Sequence, residues 1–199
     1  MPVLTRATVV LSAAAAIAFS LAAHAGPAPT ARTELAAEAA TPTPKIVASG
    51  WAEDHKVASA TCPAGTGLVG GGFDSHNTRN RADQNTDSVE ESAPSATKPN
   101  TWLVQLSNGD AKSFAMCVPG APTPKIVASE WVADGGWAYA TCPKGTALIG
   151  GGTDSTPSKN GPGAVTDAQQ VNAPSDKKAN TWMAQMMNGS SKAFAMCVK

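Results

Sequence analysis

The residues of this chain that could do chemistry are few: four cysteines, five tryptophans, three histidines and a sparse set of carboxylates. Cys62, Cys117, Cys142 and Cys197 could bridge, hold zinc or act as nucleophiles. No C-x-x-C pair exists among them, so the short ligand knuckle of a structural zinc site is missing. An even number of cysteines in an exported chain reads instead as a disulfide framework. Catalytic groups are harder to find. His55 and His76 stand where a second copy of the same segment carries Gly135 and Thr156, and no serine sits in a G-x-S-x-G elbow. Glu90 and Glu91 fall in a divergent polar stretch and read as solvated surface. Gly65 to Gly70 fits G-x-G-x-x-G literally, but it follows Cys-Pro rather than a strand, and the second copy breaks it with Ala147. Asp74 or Asp154 could contribute to a calcium site, yet no dense acidic loop surrounds either. No catalytic residue, metal or cofactor is therefore assigned, and the chain is expected not to be an enzyme.

Aromatic side chains remain as the candidates for binding. Trp102 alternates with Val104 and Leu106, and Trp182 with Ala184 and Met186, as one inward face of a strand would. Trp51 and Trp131 instead begin the turn-like runs W-A-E-D and W-V-A-D. Trp137 and Tyr139 follow a Gly-Gly pair. Trp137, Tyr139, Trp51 and Trp131 are the ligand-stacking candidates, with Trp137 foremost, because a flat ring outside a core offers a sugar an apolar face.

An internal duplication must position these groups. PTPKIVAS at Pro42–Ser49 recurs at Pro122–Ser129, and TCP-x-GT-x-L-x-GGG-x-DS at Thr61–Ser75 recurs at Thr141–Ser155. NTW at Asn100–Trp102 returns at Asn180–Trp182, and FAMCV at Phe114–Val118 returns at Phe194–Val198. The offset is constant, without insertion or deletion. Each unit must have folded independently of its copy, which selects Cys62–Cys117 and Cys142–Cys197 from the three possible connectivities. Each bridge is worth on the order of 4 kcal/mol by loop closure. Asp54/Asp134, Asp74/Asp154, Ser75/Ser155, Asp87/Asp167, Asn100/Asn180, Gln105/Gln185 and Asn108/Asn188 are polar residues kept in both copies, and most read as turn formers.

Short runs rich in strand formers fill each unit. Lys45–Ser49, Val57–Cys62, Leu68–Phe73, Thr101–Ser107 and Ser113–Val118 read as strands, the third with a glycine-induced bulge at Gly70–Gly72. Asn108-Gly109 and Asn188-Gly189 signal hairpins. Residues 76–99 and 156–179, where the copies diverge most, read as long surface loops. The expected fold is all-β: two tandem small β-sandwich or barrel-like domains of about five strands each, one disulfide per domain.

Residues 1–25 read as a secretory signal, with Arg6 before an apolar Val9–Ala23 run and an A-x-A site at Ala23-His24-Ala25. Residues 26–44 form a Pro/Ala-rich tether, 45–118 the first domain, 119–124 a proline-stiffened linker and 125–199 the second domain. The chain is expected to be secreted. Lys+Arg and Asp+Glu number 15 each, so no basic field exists to hold nucleic acid or an anionic membrane.

The frame C-P-x-G-T-x-L-x-G-G-G, then N-T-W, then F-A-M-C-V, resembles a β-rich tandem repeat of uncharacterised secreted actinobacterial proteins and covers both units. The resemblance implies a secreted, disulfide-closed, non-catalytic module and assigns no residue a role. The expected function is binding or extracellular structure, with polysaccharide or cell wall as the partner recognised through two similar domains. Inhibition of a secreted protease through 76–99 or 156–179 is the alternative, and hydrolysis the third reading.

Overall fold

A computed structural model describes residues 42–76, 88–133, 135–156, 159–160, 164–165 and 169–199. The leader, most of the tether, and Asp87, Asp134 and Asp167 lie outside the described residues. The first repeat holds β1 (Lys45–Ala48), β2 (Ala58–Thr61), β3 (Thr66–Ser75), β4 (Val89–Pro94), β5 (Thr101–Leu106) and β6 (Ala111–Pro119). The second holds β7 (Lys125–Ala128), β8 (Val132–Ala133), β9 (Ala138–Thr141), β10 (Ala147–Thr156), β11 (Lys159–Asn160), β12 (Ala164–Val165), β13 (Gln169–Pro174), β14 (Thr181–Met186) and β15 (Ser190–Val198). No helix occurs among the described residues, and the fold is all-β.

Each repeat faces one three-stranded sheet with another: β1-β6-β3 with β2-β5-β4, and β7-β15-β10 with β9-β14-β13. The sandwich follows from alternation. Along β5, Trp102, Val104 and Leu106 are buried, and they meet Ala58 and Ala60 of β2 and Ala115 and Cys117 of β6. The second core is nearly all alanine, with Ala138, Ala140, Ala184, Ala193 and Ala195 fully buried around Cys197. Such small side chains bury little apolar area. The Cys62–Cys117 and Cys142–Cys197 disulfides compensate, each closing 55 residues and joining the β2 or β9 end to β6 or β15.

The middle glycine of each triplet is required by packing. A Cβ on Gly71 would run into the Trp102 ring and the Phe114 carbonyl, and one on Gly151 into Trp182 and the Phe194 carbonyl. The glycine-induced bulge expected at Gly70–Gly72 lies one step earlier: the register passes from Leu68 to Gly70 and from Leu148 to Gly150, leaving Val69 and Ile149 as the extra residues. Gly109 and Gly189 take φ of 83° and 81° in the β5–β6 and β14–β15 hairpins, as the Asn-Gly signal requires.

One expectation needs correction. Residues 76–99 are not one surface loop: Val89–Pro94 is strand β4, lying between β5 and β10. The same applies to 156–179, where Gln169–Pro174 is β13. Glu, Ser, Ala and Pro are poor strand formers in isolation, and β4 owes its conformation to pairing on both edges. Those pairings join the repeats. Thr153 and Asp154 of β10 sit opposite Ser92 and Glu91 of β4, producing one continuous sheet β2-β5-β4-β10-β15-β7. Met196 of β15 is buried in the first repeat's core, whereas its counterpart Met116 is 36% exposed. Residues Ala40–Lys199 accordingly form a single compact unit.

Candidate ligand cleft at the junction of the repeats

The β4–β10 seam opens into a cleft of about 340 Å³ lined by Glu90, Gln105, Trp131, Asp154, Ser155 and Thr156. A β-bulge supplies its floor. The β4–β5 register passes from Val89 opposite Leu106 to Glu91 opposite Gln105, leaving Glu90 as the extra residue. Gln105 Nε2 donates to Glu90 Oε2 at 2.8 Å, fixing the carboxylate, and His55 Nδ1 lies 3.9 Å from Glu90 Oε1. The hydroxyl of Ser155 donates to the Glu90 carbonyl at 2.9 Å, tying the second repeat to the bulge of the first.

Charge is concentrated along this seam. Burial, reinforced by the facing Asp154, pushes the Glu91 carboxyl up from 4.5 to about 7. Burial likewise raises Asp154 from 3.8 to about 6, with Glu90 adding to the rise; the Ser155 backbone N–H and the Lys192 ammonium oppose it. Lys192 stands opposite Asp154 in the β10–β15 register and lies 5.8 Å from the centroids of both Trp131 and Phe194. The cleft thus combines one aromatic ring, Trp131, with the polar side chains of Glu90, Gln105, Asp154, Ser155 and Thr156, and Lys192 lies near that ring.

The four aromatic candidates lie in different surroundings. Trp51, Trp131 and Trp137 are 41%, 45% and 43% exposed. Trp51 has the same lysine arrangement as Trp131, with Lys112 5.7 Å from its ring, but His76 stacks on it at 3.5 Å between centroids. The residue matching His76 is Thr156, which lines the cleft beside Trp131. The two tryptophans expected to make like sites are therefore unlike: one ring is stacked by a histidine, the other walls a cavity. Trp137 and Tyr139 stack on each other at 6.3 Å, and Lys178 Nζ lies 3.5 Å over the Tyr139 ring. The first repeat has Val57 and Ser59 at those places, so this aromatic pair belongs to the second repeat alone. Trp102 is buried as expected, its Nε1–H donating to Ser92 Oγ; Trp182 is half-buried and donates to Asn172 Oδ1.

Glu90 and Glu91, read as solvated surface, are half-buried at the seam. Asp154 and Ser155, expected as turn formers, are strand residues lining the cleft, and Gln105 of the expected strand Thr101–Ser107 joins them there. One signal was present in the sequence: Gln105 and Gln185 are polar residues kept in mid-strand, where a turn has no use for them. Among the described residues, no cluster of three or more His, Cys, Asp or Glu side chains is arranged to hold a metal ion, and no helix is long and apolar enough to cross a membrane. No family model, curated protein or solved structure matches this chain.

Proposed function

We propose that this is a secreted, non-catalytic protein that binds polysaccharide of a cell wall or matrix, with the junction cleft as its principal binding site. The presence of Trp131 in one cleft with Glu90, Gln105 and Asp154 carries this reading. A pyranose ring needs an apolar face to stack on and polar groups at its rim to meet hydroxyls. Five of the six lining side chains are polar, two of them carboxylates, which suits a hydroxyl-rich chain end or branch rather than an anionic metabolite. Export rests on the apolar leader with its A-x-A site and on two formed disulfides. The Trp137–Tyr139 pair is an auxiliary platform on the second repeat.

The test is co-sedimentation of the oxidised protein with cell walls, chitin and cellulose, with and without reductant, while soluble sugar is assayed in the supernatant. The proposal expects retention on at least one polymer, loss on reduction, and no sugar release. Retention on none refutes it and moves the weight to protease inhibition. Release of sugar that Glu91→Gln abolishes would make the protein a hydrolase.

A further inference from the structure

The seam that joins the two repeats is used once among the described residues, and both of its halves occur a second time without a described partner strand. In the seam, β4 of the first repeat docks on the edge of β10 of the second. The second repeat's counterpart of β4 is β13, and the first repeat's counterpart of β10 is β3. Among the described residues, β3 ends the sheet β1-β6-β3 and β13 ends the sheet β13-β14-β9. The outer edge of each thus carries, among the described residues, backbone donors and acceptors that no strand pairs.

Glycine provides the sharpest comparison. A Cβ on Gly152 would collide with the Ser92 carbonyl and with Ala93 of the docked strand, so glycine is required there by the seam. Gly72 is its counterpart, and nothing lies within 4 Å of where its Cβ would be. Within the isolated chain Gly72 has no packing reason to be glycine. Burial tells the same story. Thr153 and Ser155 of β10 are 2% and 6% exposed, whereas their counterparts Phe73 and Ser75 are 46% exposed and half-buried. Ala93 and Pro94 are buried in the seam, while Ala173 and Pro174 of β13 are half-buried and exposed.

We propose that β13 of one molecule docks on β3 of a second copy, repeating between chains the β4–β10 seam. Four residues of the internal seam recur, Gly72 for Gly152, Ser75 for Ser155, Ala173 for Ala93 and Pro174 for Pro94, while Phe73 and Asn172 replace its Thr153–Ser92 pair. The unfavourable element of the internal seam is missing, because Val171 stands where Glu91 does and would face Asp74 without a second carboxylate. Neither β3 (TGLVGGGFDS) nor β13 (QQVNAP) carries the lysines that commonly guard an open edge. The two surfaces differ, so the contact is head to tail and extends the chain into rings or open filaments.

Sedimentation velocity of the oxidised protein, expressed from its full coding sequence, tests this across a concentration series. The proposal expects weight-average mass to at least double with concentration. Gly72→Ala should return the protein to monomer while keeping the melting temperature of dilute, unassembled wild type, since its methyl enters open space. Val171→Asp, which sets a carboxylate against Asp74 from the other side of the contact, should do the same. Each variant keeps one intact surface, so mixing the two should give a capped dimer and nothing larger. A wild-type chain that stays monomeric at its highest soluble concentration would overturn the proposal. So would assembly that persists in both variants, or variants that fail to pair when mixed.

Discussion

Replacing Glu91 with glutamine should stabilise the folded chain at neutral and alkaline pH and leave it nearly unchanged in acid. In the fold this carboxyl titrates near 7, against an ordinary 4.5, because β4 and β10 bury it facing Asp154. Between those values the native state holds a proton that the unfolded chain has lost, so stability is fully present below about pH 4.5 and declines as pH rises through about 7. A displacement of that size corresponds to about 3 kcal/mol for a fully buried group. Glu91 is only half-buried, and solvent screening reduces the expected loss to about 1–2 kcal/mol. Asp154 should contribute a smaller decline in the same direction, lost as pH rises through about 6. Urea unfolding of wild type and Glu91→Gln, followed by tryptophan fluorescence at intervals from about pH 4 to about pH 8.5, reads this directly. The wild-type curve should fall across the window, and the variant should fall less and exceed it above neutrality by about 1–2 kcal/mol. Parallel pH profiles, or a variant less stable than wild type at high pH, would refute the buried-carboxylate reasoning.

Further outcomes follow from the same packing. Gly71→Ala and Gly151→Ala must displace the Trp102 and Trp182 rings respectively, costing about 1–3 kcal/mol each in chemical denaturation; Gly72→Ala, one residue away, should cost close to nothing. Removing the Cys62–Cys117 bridge with paired alanines should lower stability by about 4 kcal/mol, enough to broaden or abolish cooperative thermal unfolding of a fold with so much alanine in its second core. Gln105→Leu should free the Glu90 carboxylate from its 2.8 Å hydrogen bond and weaken polymer binding in a retention assay while leaving the melting temperature within a few degrees.

The fold was legible where local rules and the duplication agreed. Cysteine pairing followed from the repeat, the hairpins from Asn-Gly, and the inward face of β5 from Trp102, Val104 and Leu106. Strand β4 was hidden because Glu90-Glu91-Ser92 has neither alternation nor strand-forming side chains; what holds it is pairing with β5 on one edge and with β10, far along the chain, on the other. The cleft was hidden for the same reason. It combines a bulge from one repeat with a tryptophan and a strand end from the other, and no single window of sequence contains it. Asn100 and Asn180 show the intermediate case. Their retention suggested turns, and they do take left-handed φ of 55° and 52°. Their side chains also clamp the start of the neighbouring long strand: Asn100 Oδ1 accepts from the Leu68 N–H while Nδ2 donates to the Thr66 carbonyl, and Asn180 does likewise at Leu148 and Thr146. Residue type announced the turn, but only the fold shows the clamp.

The central proposal is that the cleft, rather than exposed aromatic surface in general, binds polysaccharide. Its most direct test compares Trp131→Ala with Trp51→Ala in retention on whichever polymer holds the wild-type protein. Both rings are similarly exposed and lie near equivalent lysines, but only Trp131 lines the cavity. The account predicts that Trp131→Ala loses at least tenfold in affinity while Trp51→Ala binds as wild type. Equal losses in the two variants, or undiminished binding by Trp131→Ala, would contradict it.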